Sequence, residues 1–135
     1  MRILLVSDIH LAYENVEKMI KWQKEHNKGV QYDFVLGYGD FGNLNHKVAP
    51  EDNLASDATE MVNQRYLKLD EEEKKNEEQA EKDIARVLDM IEAGLPGQPP
   101  IYYIPGNHDP KSMILGEPLA SSNTTNVHNQ WVELS

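Results

Sequence analysis

The chain has 135 residues, enough for one domain with a packed core, and 39% of them are apolar, an ordinary globular share that argues against wholesale disorder. Its formal net charge of -10 argues against a general nucleic-acid binder, which needs a basic face to displace phosphate counterions. With no cysteine, disulfides, thiolate zinc sites and cysteine nucleophiles are excluded, while 5 histidines and 23 acidic residues leave ample material for an oxygen- and nitrogen-rich metal site.

In chain order, Arg2 to Ser7 is a short apolar run, which predicts a strand buried on both faces. It leads straight into the polar Ser7-Asp8-Ile9-His10 and so reads as a strand rather than a signal peptide. No apolar run is long enough to cross a bilayer, and an intracellular, cytoplasmic protein with no membrane partner is the expectation. Asn15 to Asn27 reads as a helix with Val16, Met19, Ile20 and Gln23 on one face, Asn15 as its N-cap and Asn27-Lys28-Gly29 as its stop. Tyr32 to Leu36 predicts a second strand, followed by Gly37-Tyr38-Gly39-Asp40.

Ser56 to Ala93 predicts a long helical stretch. Asp57 and Glu60 fit its start, Ile84, Val87, Leu88 and Ile91 form its apolar stripe, and Gly94 with Pro96 ends it. Within it, Asp70 to Asp83 holds 8 acids and 3 lysines, a net -5 and half of the chain's charge. That composition predicts a solvated helix or a projecting helical hairpin, with an arm that docks a protein partner as the functional alternative. Pro99-Pro100 leads into a third strand, Ile101 to Ile104, closed by Pro105-Gly106. Val127 to Leu134 predicts a fourth. Strands alternating with helices argue for an α/β fold with a parallel sheet built from crossovers.

The chemistry sits where the strands end. Asp8-Ile9-His10 follows the first strand, Gly39-Asp40 the second and Gly106-Asn107-His108-Asp109 the third. In an open parallel sheet the C-terminal strand edge is where ligands bind, so three segments distant in sequence would deliver their side chains to one place. Asp8 and His10 can both reach a metal across a tight turn. Asp40 has two oxygens with which to bridge two cations, and Asn107 adds a neutral carbonyl. This ligand mix suits Mn, Fe, Zn or Mg. Gly39 and Gly106 precede ligand candidates, where the backbone must turn sharply or approach closely. Each motif alone is weak or moderate; the three in this order at three strand ends are specific.

By these motifs, Asp8-Ile9-His10, Gly39-Asp40-Phe41-Gly42-Asn43 and Gly106-Asn107-His108-Asp109, the chain resembles the calcineurin-like metallophosphoesterases from Ile3 to its last apolar stretch. The resemblance implies a phosphate-ester hydrolase with two divalent metal ions. Asp8 and His10 would ligate the first, Asp40 would bridge the pair, and Asn107 would ligate the second. His108 would sit near the substrate phosphate as proton donor or charge stabiliser, Asp109 would orient His108, and a hydroxide between the metals would be the nucleophile. The implied fold is the N-terminal half of a four-layer α/β/β/α sandwich with a mixed sheet and a long charged helical insertion.

The family completes its site with further histidines, a lone one and then a Gly-His-x-His pair. After His108 this chain has only His128, which its surroundings read as a strand residue. Residues 1–135 are therefore expected to be the N-terminal part of such a domain, inactive alone, with an acidic insertion at 51–83. The alternative is a non-catalytic binding or scaffold module that uses the acidic arm. Asn43 is a candidate substrate contact, whereas His26 and His46 read as surface residues.

Overall fold

A computed structural model describes residues 1–44, 71–119 and 124–133. His46, the expected helix start at Asp57 and Glu60, and residues 51–70 of the acidic insertion lie outside the described residues.

The elements run β1 (Ile3–Ser7), α1 (Tyr13–His26), β2 (Phe34–Tyr38), α2 (Glu71–Gly94), β3 (Ile101–Ile104), α3 (Lys111–Ile114) and β4 (Thr124–Asn126). The four strands form one sheet in the order β1-β2-β3-β4, and every pair is parallel. The crossover reading of the sequence is therefore met. The antiparallel member of a mixed sheet is not seen among the described residues.

The register places Leu4 beside Val35 and Val35 beside Ile101. These residues, with Val6 and Tyr103, form the inner sheet face and meet Val16 of α1 and Ile84, Val87, Leu88 and Ile91 of α2. The apolar stripe of α2 is fully buried, and each such side chain contributes roughly 1.5–3 kcal/mol of transfer free energy. The helices α1 and α2 also pack on each other.

The opposite sheet face is largely open among the described residues, although Phe34 on it is buried and packs edge to face on Tyr102. Ile3, Leu5, Tyr38 and Ile104 are 41%, 60%, 53% and 37% exposed. This corrects the expectation for β1: it is an edge strand, and its burial alternates instead of being complete. Its apolar run reflects a face that is open here, not two covered ones.

Three further boundaries move. Helix α1 starts at Tyr13, with Ala12 as an N-cap that makes no side-chain hydrogen bond, so Asn15 is not the cap. Tertiary contacts decide this start, because Leu11 N–H donates to Phe41 O at 2.8 Å and fixes the turn before any side chain could cap. Strand β2 extends through Gly37 and Tyr38, and β4 lies at Thr124–Asn126, whereas residues 127–133 of the predicted Val127 to Leu134 strand are not in a strand and Leu134 lies outside the described residues. His128 sits in a turn, where its N–H donates to Asn126 Oδ1 at 3.0 Å and Asn129 takes a φ of 55°. Asparagine turn chemistry has overridden the apolar pattern there.

The acidic stretch is helical from Glu71 onward, but it is not uniformly solvated. Glu77 and Ala80 are 6% exposed. The Glu77 carboxylate accepts the Lys111 N–H at 2.7 Å. Burial raises its pKa above the ordinary glutamate value of 4.5, against the lowering effect of Lys111. A carboxyl whose folded pKa is raised binds more protons folded than unfolded at intermediate pH. Its stabilising contribution is full below 4.5 and is lost as pH rises through the folded pKa. Urea midpoints between about pH 4.5 and 7 should therefore decline less in Glu77→Gln than in the parent protein. Identical pH slopes would show that this carboxyl is not destabilised by its surroundings. No described helix is long and apolar enough to cross a membrane.

Candidate metal centre

Three loops leave the C-terminal edges of adjacent parallel strands, and their backbones are tied together. Asp8 N–H donates to Gly39 O at 3.1 Å, His10 N–H to Asp40 O at 3.0 Å, and Gly39 N–H to Ile104 O at 2.8 Å. Leu44 N–H reaches His108 O at 2.9 Å. The ladder of the sheet thus continues past its strands and holds the polar residues in register.

The chain bends sharply to achieve this. Asp8, His10, Leu11 and Asp40 have φ values of 53°, 47°, 56° and 54°. Left-handed backbone costs a non-glycine residue roughly 1–3 kcal/mol, least for aspartate, and such residues gather at functional sites. Gly39 and Gly106 make the bends possible. A Cβ on Gly39 would lie 2.7 Å from Gly106 Cα, and one on Gly106 would run into the Asp40 carboxylate.

One ligand atom from each of Asp8, His10 and Asp40 lies within 4.8 Å of the other two. Asp8 Oδ1 is 4.0 Å from His10 Nε2, and Asp8 Oδ2 accepts the Ser7 hydroxyl at 2.7 Å. Nδ1 of His10 is 3.0 Å from Gly42 O. A carbonyl only accepts, so Nδ1 carries the proton and the Nε2 lone pair is left for a cation. Two carboxylates and one imidazole whose tautomer is already set fit a hard or borderline divalent ion. A shallow hollow between β1 and α1, lined by Leu5, Val6, Val16 and Met19 as well as Ser7, reaches this group at Asp8.

The third motif closes the site. His108 N–H donates to Asp40 Oδ1 at 3.1 Å, and the His108 ring meets the His10 ring edge to face at 5.3 Å between centroids. Nδ1 of His108 is 2.9 Å from Leu44 O, which again places a proton on Nδ1 and leaves Nε2 outside this contact. Asn107 is exposed at the same turn.

Asp109 is fully buried. Its oxygens accept Gly42 N–H and Gly106 N–H, each at 2.8 Å. Burial raises its pKa, and those two backbone donors pull it back toward the charged form. The family resemblance implied that Asp109 orients His108. In the structure the ring is held at Nδ1 by Leu44 O, and Asp109 ties the second-strand loop to the third-strand loop. Asn43 Nδ2 donates to His10 O at 2.9 Å, so this side chain holds the first loop.

Sequence reasoning missed the part played by the Gly42 and Leu44 carbonyls, which set both imidazole tautomers. Gly42 lies within the second motif, but every residue carries a carbonyl and nothing in the pattern singles out this role. His128 lies in the turn two residues past β4, and its Nε2 is 3.3 Å from Asn129 Nδ2.

The calcineurin-like phosphoesterase family model matches residues 1–134. No curated protein and no solved structure matches the chain. The match spans all three strand-end motifs and the turns that bring them together, and the chain belongs to the calcineurin-like phosphoesterase family.

Proposed function

We propose that this protein hydrolyses phosphate mono- or diesters at a centre of two divalent ions, drawn from Mn, Fe, Zn and Mg. The observation that carries the reading is the convergence of Asp8, His10 and Asp40, with His10 Nε2 freed by the Gly42 carbonyl. Asp8 and His10 would hold the first ion, Asp40 would be shared, and Asn107 would serve the second. Four side chains are few for two ions, so further donors would be needed to complete the shell.

The ions, when bound, supply Lewis acidity to the phosphoryl oxygens and lower the pKa of water. The protein's own part is orientation and proton transfer. His108 is fixed at Nδ1 by Leu44 O; when its ring also carries a proton at Nε2, it can give that proton to the leaving oxygen as the bond to phosphorus breaks, and is left as the neutral ring protonated at Nδ1. Asp109 keeps the two loops that carry Asp40 and His108 at a fixed separation. Asn43 does the same for the His10 turn. The site's own carboxylates would repel a phosphate ester, and bound cations reverse that local sign.

The test is hydrolysis of an aryl phosphodiester and an aryl phosphomonoester by the full natural chain, with Mn and with a chelator. Turnover with Mn that the chelator abolishes supports the proposal, and the ratio of the two rates assigns the ester class. Tight Mn binding without turnover of either ester would favour a binding module in its place.

A further inference from the structure

We infer that Glu77 and Glu81, on the charged half of α2, are positioning residues that set the Gly106–Asp109 turn and so the placement of His108. The inference rests on the functional reading above for its catalytic consequence, but not for its structural one.

The turn that carries Asn107, His108 and Asp109 runs through Pro110 directly into α3, a single helical turn. So short a helix cannot hold its own orientation, because nucleation is unfavourable and few internal hydrogen bonds form. It is gripped from two sides instead. On one side Lys111 N–H donates to Glu77 Oε2 at 2.7 Å, and the Ser112 hydroxyl donates to Glu81 Oε1 at 2.5 Å. On the other, Asn126 Nδ2 of β4 donates to Met113 O at 2.8 Å and Glu117 O at 3.0 Å.

Lys111 and Ser112 are only 4% and 5% exposed, so the Glu77 contact is made away from solvent competition and the Glu81 contact, whose carboxylate is half-buried, is partly shielded from it. Charge-assisted hydrogen bonds there are stronger and shorter than neutral ones. Glu77 and Glu81 are four residues apart and so lie on one face of α2. The Ile84 to Ile91 stripe of the same helix is locked into the core. Helix α2 therefore acts as a rigid arm, anchored at its apolar end, that carries two carboxylates to the residues just after the third motif. The acidic composition has a purpose at these two positions that solvation alone does not supply.

Amide hydrogen exchange on the metal-free protein tests this directly. The reporters are Asp109 N–H, which donates to Gly106 O at 3.2 Å, and Leu44 N–H, which donates to His108 O. Glu77→Ala should speed exchange at both by about tenfold or more, while amides of Leu36 and Tyr102 in the sheet keep their protection. Glu77→Gln, which retains an acceptor oxygen, should stay within about twofold of the parent. Should Glu77→Ala fail to fold, Ser112→Ala removes only the Glu81 contact and should show the same local loosening. Unchanged reporters, or equal loosening of turn and sheet, would overturn the inference.

A second arm uses kinetics with Mn and an aryl phosphate ester. Loss in kcat with little change in KM is expected for Glu77→Ala, with recovery in Glu77→Gln. Loss confined to KM would overturn the assignment of His108 as the group displaced. An inactive parent protein would defeat the proposed function and leave the exchange result to decide this inference.

Discussion

Asp40→Ala is expected to abolish metal-dependent ester hydrolysis, with a loss of roughly a thousandfold or more. Even partners behind a metal ligand are worth about 10- to 100-fold in affinity or activity, and Asp40 belongs to the converging group itself. Two effects combine. A carboxylate is removed from the proposed metal pair, and the His108 N–H loses the Oδ1 that accepts it at 3.1 Å. Alanine is also strained at a φ of 54°, which adds about 1 kcal/mol or more of instability. Asp40→Asn separates the causes, because asparagine tolerates the left-handed backbone and can still accept from His108. We expect Asp40→Asn to fold normally and to bind Mn far more weakly by calorimetric titration. Parent-like Mn affinity in Asp40→Asn would remove Asp40 from the metal site.

Gly106→Ala should be nearly as damaging, although no functional group is lost. The added Cβ would sit 2.5 Å from Asp40 N and 2.9 Å from Asp40 Cγ, and backbone cannot yield as a flexible side-chain end does. The Gly106 N–H is also held by Asp109 Oδ2, so the turn has little room to swing away. Overpacking of this kind costs roughly 1–3 kcal/mol, and here the displaced group is a proposed ligand. The expected result is a lowered urea midpoint together with loss of Mn binding. Gly29→Ala is the comparison, because its φ is 76° but nothing lies within 4 Å of the new Cβ. It should cost about 1 kcal/mol from backbone strain and leave Mn binding intact. If Gly106→Ala bound Mn as the parent does, the close approach of the two loops would not matter to the site.

These two positions show what the sequence made legible. Glycine before a ligand candidate, at the end of an apolar run, is a local signal. It led directly to the turns at Gly39 and Gly106. Strand β3 was readable in full because Pro99-Pro100 and Pro105-Gly106 bracket it. Helix α2 was readable in its apolar half, where a 3.6-residue stripe leaves little choice.

What escaped depended on contacts between distant residues. The start of α1 is decided by a bond to Phe41 O and not by its own cap. The burial of Glu77 depends on α3, which comes 34 residues later. The left-handed conformations of His10 and Leu11 are imposed by bonds to the loop after β2, and neither residue type announces them. The Val127 to Leu134 pattern resembled a strand, but only Val127 N–H still reaches β3, at Tyr103 O, before the side chain of Asn126 accepts from His128 N–H and the chain turns.

The hydrogen bonds that carry the sheet ladder beyond β1 and β2 bear on how an ion would be captured. Asp8, His10 and Asp40 are held by backbone pairing to neighbouring loops, so their arrangement forms when the sheet forms. Among the described residues, the arrangement does not depend on a segment closing over an arriving cation. The slow event in loading is then the ion's own loss of hydration water, not a rearrangement of the protein. Ions would be sorted kinetically by how readily they dehydrate, and Mg, which sheds its water reluctantly, would load behind Mn even at equal concentration.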